Sequence, residues 1–166
     1  MTAKKRGVLI VNLGSPDKAS VLAVRRFLKQ FLSDPRVVNL PRLLWWGILN
    51  LFILPFRPFK SVKVYREIWT EAGSPLVVFT ELLVAKLNKR YKKDPSINVK
   101  MAMSYGNPPL NSALRQFKQE KVEQLIVIPL YPQYSSTTTA SVFDAVTLEL
   151  QKWRYIPEVS FVSDYH

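Results

Sequence analysis

Four short, continuously apolar runs that are rich in Val and Ile recur along the chain. Such runs are typical of parallel strands that helices cover on both faces. Later in the chain they alternate with segments of helical spacing, such as Leu110, Leu114 and Phe117 at i, i+4 and i+7. With 166 residues there is room for one domain with a core. The sequence therefore predicts a doubly wound α/β domain with helices on both faces of a four-stranded parallel sheet, its strands at residues 8–13, 99–105, 125–130 and 159–162.

The stretch between the first two predicted strands is too long for a single crossover helix. Its most apolar part is fourteen residues long, residues 43–56, and is interrupted by Gly47, Asn50 and Pro55. A helix that spans a bilayer needs about 20 apolar residues, so this segment is expected not to cross one. We expect an insertion built from an amphipathic helix, the apolar segment, a Lys/Arg-dotted segment and a long helix that begins at a Ser-Pro pair: residues 21–32, 43–56, 59–69 and 74–93.

Positive charge is concentrated in the first part of the chain. Residues 1–66 hold 13 Lys and Arg against two acids, Asp17 and Asp34, whereas the remainder is nearly balanced, and the whole chain carries a formal charge of +12. This asymmetry suggests an anionic partner for the first third: nucleic acid, acidic lipid or a ligand with carboxylates.

Several classes of catalytic and metal chemistry are excluded by residues that the chain lacks. With no Cys there is no thiol nucleophile, zinc ribbon or cysteine-ligated iron–sulfur cluster. The single His, His166, cannot form a two-His metal site or a core Ser-His triad. The residues themselves thus indicate no catalytic or metal-ligating set.

Polar and aromatic residues follow three of the predicted strands. Ligands bind beyond the carboxyl ends of strands in open parallel sheets, so these three rims predict one cleft. Gly, Asn and Pro in them are also ordinary turn residues, and Ser and Thr are ordinary helix caps. Two tyrosines and five consecutive hydroxyl residues on the third rim exceed what one cap needs. The rims are residues 12–16, 104–108 and 131–139.

The rims and the basic region raise three binding alternatives: a phosphate-bearing nucleotide, a nucleic acid and a membrane surface. The motifs of dinucleotide and nucleoside triphosphate sites are absent, and so is any nucleic-acid-binding motif, so we expect no nucleic-acid partner. The apolar segment at 43–56, flanked by Arg42 and Arg57, fits either a helix at a membrane surface or a buried helix. The residues alone leave these last two readings open.

Four motifs in order along the chain resemble the ferrochelatase family, whose members insert Fe(II) into protoporphyrin to form haem. They are GVLIVNLGSPDKAS at residues 7–20, GSPL at 73–76, MSYGNPPL at 103–110 and PLYPQYSSTTTAS at 129–141. The resemblance implies a Rossmann-like, chelatase-type domain with a helical lip insertion between strands 1 and 2. The implied partners are protoporphyrin IX and Fe(II), which is a substrate of the family, and no cofactor is expected to be bound by this segment.

The resemblance also implies which residues contact the porphyrin. An apolar, aromatic cleft suits the faces of the macrocycle, and Arg57 would pair with a propionate. No catalytic or metal-binding residue is implied, because the family's metal-handling His and Glu lie in a second half and His166 is not at the catalytic position. The implied substrate-binding residues are Leu13, Leu28, Phe31, Arg57, Tyr65, Tyr105, Tyr131 and Ser135.

The likeness implies a division of the chain as well. Residues 1–157 are expected to form the N-terminal chelatase-like domain, and residues 158–166 are expected to begin the connection to a second domain. A chain of this kind would be a truncated ferrochelatase, inactive alone and cytoplasmic, with peripheral contact to the inner membrane through residues 43–56. The alternative is a non-catalytic module that binds a porphyrin or a membrane surface.

Overall fold

The four expected strands form one parallel sheet in the computed structural model, which describes residues 4–165. Their order is β2-β1-β3-β4, and every neighbouring pair is parallel. Register aligns Asn12 with Met103 and Val11 with Pro129, so β1, β2 and β3 end at the same edge of the sheet. The strands are β1 (Arg6–Asn12), β2 (Ile97–Met103), β3 (Gln124–Pro129) and β4 (Glu158–Phe161).

Alternate residues of β1 enter two separate cores. Leu9 and Val11 pack among residues of α5 (Leu110–Gln119) and α6 (Ser141–Leu150), whereas Ile10 packs near Val84 of α4 (Pro75–Arg90). Because successive strand residues point to opposite faces, helices cover both faces of the sheet. The α/β prediction is confirmed, including the helical insertion after β1. The strand expected at residues 159–162 is β4, so residues 158–161, assigned above to the connection, belong to this sheet.

The insertion begins with α1 (Val21–Leu32), which spans the residues predicted for it. Ser20 caps this helix by accepting a hydrogen bond from the Ala23 N–H at 3.4 Å. The long helix is α4, which ends at Arg90 rather than near Lys93, and its N-cap residue, Ser74, makes no side-chain capping bond.

Between them lies a helical segment that we call the lip segment, residues 42–68. It consists of α2 (Arg42–Ile48), a π-helical turn at Leu49–Ile53 and α3 (Leu54–Ile68). The lip segment is joined to α1 by packing of α3 and by the Trp45 indole, which donates a 2.7 Å hydrogen bond to the Leu32 carbonyl. Within residues 4–165, no helix combines the length and the apolarity needed to cross a bilayer.

Candidate functional site

The rims of β1 and β2 are joined by backbone hydrogen bonds beyond the ends of the strands. Ser104 donates to the Asn12 carbonyl at 2.9 Å, and Tyr105 donates to the Leu13 carbonyl at 3.0 Å. Gly14 has a φ of 101°, and a Cβ there would overlap the carbonyl oxygen of Tyr105. Only glycine fits this close approach, so the NLG part of the first motif sets the distance between the two rims.

Asn12 holds the first rim against the insertion. Its side-chain amide donates to the Thr80 hydroxyl of α4 at 3.0 Å, and its side-chain oxygen accepts the Leu13 N–H at 2.8 Å. Thr80 is buried and in turn donates to the Leu76 carbonyl at 2.7 Å. The amide therefore fixes Leu13, one of the expected porphyrin contacts, at the end of β1.

A polar cluster connects the second rim to α1 and α6. The Tyr105 hydroxyl donates to the Asp34 carboxylate at 2.7 Å and lies 3.0 Å from the Ser141 hydroxyl, which also donates to Asp34. Tyr105 is only 4% exposed, and burial raises the pKa of its phenol, so it remains a donor at neutral pH. Beside it, Arg36 makes a two-point ion pair with Asp144 of α6.

A row of aromatic rings leads from this cluster to the lip segment. Tyr105 meets Phe31 edge-on with ring centroids 5.1 Å apart, and Phe31 stacks on Phe27 at 6.2 Å. Phe27 meets Tyr65 of α3 at 6.4 Å, and Tyr65 meets Trp69 at 6.3 Å. We call these five residues the aromatic row; it brings three of the expected porphyrin contacts, Phe31, Tyr65 and Tyr105, into one connected set.

The second and third rims carry hydroxyls without a hydrogen-bond partner among residues 4–165. They are the buried Ser104 Oγ on the second rim, and Tyr131 OH and Thr139 Oγ1 on the third. Burial raises the pKa of Tyr131, an effect that the neighbouring Ser104 hydroxyl opposes. A buried polar group without a partner costs about 1–3 kcal/mol, and because these oxygen atoms are enclosed, a ligand would meet them only after a local rearrangement.

Ser135 has a local role on this rim. It caps a π-helical turn, Ser136–Ala140, by accepting the Thr137 N–H at 3.3 Å. Part of the hydroxyl run is thus used for capping, as the simpler interpretation of the sequence expects.

Two further expected contacts, Leu28 and Arg57, lie on the insertion outside the aromatic row. Leu28 is half-buried on α1 beside Phe27, whereas Arg57 is exposed on α3 and makes no salt bridge within residues 4–165. Its guanidinium is free to meet an anion. The cavities next to the rims, of about 310 and 210 Å³, are lined by other residues, including Ser15 and Asn107.

The lip segment presents an apolar surface to solvent. Leu43 is 86% exposed and Phe56 is 68% exposed, with further apolar side chains between them. No side chain of α2 is buried. The other exposed apolar side chains of residues 43–56 are Leu44, Trp46, Leu51 and Phe52. The sequence left open whether this segment is a buried helix or a helix at a membrane surface, and the structure contradicts a buried helix for α2.

The side chains that commonly ligate metals are scattered in the part of the chain that the structure describes. Across residues 4–165, no three His, Cys, Asp or Glu side chains are grouped so that they could hold an ion. His166 lies outside the described residues.

Asp34 and Ser141 were missed at the level of sequence. A signal for one of them exists, since Asp17 and Asp34 are the only acids among the first 66 residues. Both face the rims: Asp17 accepts a hydrogen bond from Asn107 at 2.7 Å, and Asp34 accepts one from Tyr105. An acidic residue in a strongly basic region is therefore a candidate for a hydrogen bond within the protein.

Comparison with known proteins identifies the family of the chain. Residues 5–166 match the family model of Ferrochelatase. "Ferrochelatase 2" of Shewanella oneidensis is 48% identical over 163 residues, which are 98% of this chain and 50% of the relative. "Ferrochelatase" of Methylococcus capsulatus is 50% identical over 166 residues, 99% of this chain and 50% of the relative. The chain thus spans about half the length of the curated relatives it matches, and it belongs to the ferrochelatase family.

Proposed function

We propose that this chain supplies the N-terminal half of a ferrochelatase site and binds protoporphyrin IX at the carboxyl-end rims. The observation that carries the proposal is the aromatic row, which joins the end of β2 to the lip segment. A flat macrocycle is an apolar surface that aromatic side chains contact favourably at low entropic cost. Within the row, Phe31 and Tyr65 are half-buried and retain surface for a ligand.

The polar groups around the row suit the remaining chemistry of a porphyrin. Arg57 is exposed and without a carboxylate partner in residues 4–165, so it can form a charge-assisted pair with a propionate. Tyr131 and Ser104 carry enclosed hydroxyls without a partner in residues 4–165, which a polar atom of the ligand would satisfy only after a local rearrangement. Tyr105 acts by fixing Phe31, because its own hydroxyl is held by Asp34.

We further propose that the chain does not form haem by itself. Inserting Fe(II) into protoporphyrin releases two pyrrole N–H protons, which requires a base beside the bound macrocycle. The resemblance assigns that base and the metal-handling carboxylate to the half of the relatives that this chain does not match. A non-catalytic porphyrin-binding module is the alternative, and it shares the first part of the proposal.

Absorption titration tests the porphyrin site. Adding the 166-residue chain to protoporphyrin IX should shift and sharpen the Soret band with a saturable profile. Arg57→Gln should weaken binding about tenfold, equivalent to about 1.4 kcal/mol. Arg90→Gln, which removes an equal charge at the end of α4, is the matched control and should bind like the parent chain. No Soret change with an intact circular dichroism spectrum would contradict the proposed site.

An anaerobic metal-insertion assay tests the second part separately. Protoporphyrin IX and Fe(II) should give haem at the rate of the protein-free mixture, even when porphyrin binding is saturated. Turnover by the chain alone would refute the claim that its half lacks the base, while leaving the porphyrin site in place.

A second candidate function is contact with a membrane surface. The apolar side chains of the lip segment are exposed on one stretch that Arg42 and Arg57 flank, which fits insertion into the headgroup boundary next to anionic lipid. The chain should therefore co-sediment with vesicles of phosphatidylcholine and phosphatidylglycerol. Replacing Trp46 and Phe52 by Ser should abolish sedimentation, whereas replacing Phe79 of α4, also 68% exposed, should not. Equal loss in both variants would contradict a specific contact through the lip.

A further inference from the structure

A cavity of about 570 Å³ lies at the opposite end of the sheet from the rims, between the ends of α5 and α6 and the start of β3. Nothing in the porphyrin site uses it. Seven residues line it: Lys118, Lys121, Val122, Glu123, Trp153, Arg154 and Tyr155. We call it the cationic cavity, because three of them, Lys118, Lys121 and Arg154, are basic.

The positive charge of this cavity is not neutralised within the described part of the chain. Lys118, Lys121 and Arg154 are exposed and make no salt bridge within residues 4–165. The one acid in the lining, Glu123, accepts a hydrogen bond from the Lys5 backbone N–H at 3.2 Å. An anion would therefore meet several cations and one carboxylate that already has a donor.

The helix ends at this cavity do not satisfy those cations. Last-turn carbonyls of α5 accept backbone N–H groups, with Glu120 donating to Gln116 and Lys121 to Lys118. The carbonyls at the end of α6 are used in the same way. The lysine and arginine heads thus keep their hydrogen-bonding capacity for an outside partner.

Trp153 provides a second and independent observation. It is 7% exposed, and its indole N–H is buried without any acceptor in the structure. Lys118 Nζ lies 5.8 Å from the centre of the ring, so the cation and the indole share one wall. The Trp153 ring therefore gives the cavity an aromatic wall beside a cation, while its enclosed indole N–H does not reach the cavity surface.

The surroundings favour a polypeptide over a small enclosed anion. Sites for small molecules bury most of their ligand, whereas this cavity opens beside Tyr155 and Ile156, which are 66% and 57% exposed. Next to them β4 is the outermost strand among the described residues, with Val159 on its exposed surface. Apolar surface therefore continues outward from the charged cavity.

From these observations we propose that the cationic cavity binds an acidic segment of polypeptide, with an Asp/Glu pair against Lys118, Lys121 and Arg154 and a neighbouring apolar residue against Tyr155 and Ile156. The proposal stands independently of the porphyrin site, which lies at the other end of the strands.

Fluorescence anisotropy with a labelled Glu-rich dodecapeptide containing two Leu residues tests the proposal on the full chain. Binding should be saturable, should weaken as salt rises above about 0.1 M, and should fall at least about tenfold in Lys118→Gln/Arg154→Gln. Lys89→Gln/Arg90→Gln removes the same charge at the exposed end of α4 and is the matched control, which should bind like the parent chain. In ¹H–¹⁵N spectra, the Trp153 indole resonance, assigned with Trp153→Phe, should move most among the four tryptophans.

Three results would overturn it. One is an absence of binding up to about 1 mM peptide. Another is equal weakening in the two charge-matched variants, which would indicate a non-specific response to net charge. The third is full competition by glutarate at the same concentration as the peptide, which would indicate a small-anion site without a polypeptide partner.

Discussion

Asp34 is the residue whose replacement tests the architecture of the site most directly. Its carboxylate accepts hydrogen bonds from the Tyr105 and Ser141 hydroxyls and, through the other oxygen, from the Arg36 N–H at 2.7 Å. Asp34→Asn keeps the shape and one acceptor but removes the charge. Because Tyr105 is 4% exposed and Ser141 is 6% exposed, water cannot readily replace the lost acceptor.

The expected magnitude follows from the two hydroxyl bonds. A hydrogen bond to a charged group contributes about 1.5–3 kcal/mol and a neutral one about 0.5–1.5 kcal/mol, so each bond should lose about 1 kcal/mol. Tyr105 and Ser141 lie 3.0 Å apart and can still bond to each other. The unfolding free energy should therefore fall by about 2 kcal/mol, which for a chain of this size lowers Tm by about 4–8 °C.

Urea unfolding followed by circular dichroism measures this change, with Asp17→Asn as the control. Asp17 is also an acid in the basic third, but it is exposed, and Asp17→Asn keeps an acceptor for the Asn107 amide while removing the 3.7 Å pair with Arg26. Its replacement should therefore cost less than about 1 kcal/mol. Tyr105→Phe, which removes one donor without changing charge, should lie between the two. Equal midpoints and slopes for Asp34→Asn and Asp17→Asn would refute the view that the Asp34 cluster stabilises the fold.

Two further predictions concern the rim and acid stability. Gly14→Ala should lower the unfolding free energy by about 2 kcal/mol more than Gly73→Ala. Both glycines have a positive φ, but of the two only Gly14 approaches another backbone atom, the Tyr105 carbonyl oxygen. Thermal unfolding of the two variants measures the difference, and equal losses of stability would contradict the close approach. Glu149 is buried, which opposes ionisation, yet hydrogen bonding and charge from Lys152, with charge from Arg115, lower its pKa below 4.5. The ionised Glu149 carboxylate therefore contributes its full stabilisation of the fold above pH 4.5, and this contribution is lost as the pH falls through the depressed folded-state pKa. Glu149→Gln should cost about 1–2 kcal/mol at pH 7, with a deficit that shrinks toward pH 3; a deficit independent of pH would contradict the pairing.

Local patterns were enough to predict the sheet and α1. The strands are continuous apolar runs, and α1 combines an apolar period of 3.6 with a Ser cap, so both signals lie within a few residues. The lip segment was harder, since Pro55 looks like an interruption of the apolar run. In the structure Pro55 comes just after the π-helical turn at Leu49–Ile53, and the chain continues through it as helix into α3.

Side-chain contacts across the site could not be predicted in the same way. The hydrogen bonds of Asp34 to Tyr105 and Ser141 join residues 71 and 107 positions apart. No periodicity or spacing connects such positions, because only the parallel register of the strands and the packing of α1 bring them together. The resemblance indicated Tyr105 as a ligand contact, whereas the fold shows that its hydroxyl is engaged by Asp34.

These contacts also explain how a surface-exposed insertion can be held in a defined position beside the sheet. The chain passes from β1 through α1 to the lip segment. Just after the end of α1, Asp34 accepts hydrogen bonds from Tyr105 and Ser141, and Arg36 pairs with Asp144. Two elements of the sheet domain therefore restrain the point from which the lip starts. Because the aromatic row crosses from Tyr105 to α3 through α1, any shift of that end would separate the rings on the rim from those on the lip. Both acids of the basic third bond to a residue of the second rim, Asp34 to Tyr105 and Asp17 to Asn107, but only the partners of Asp34 are buried, so Asp34 is the acid that restrains the start of the lip.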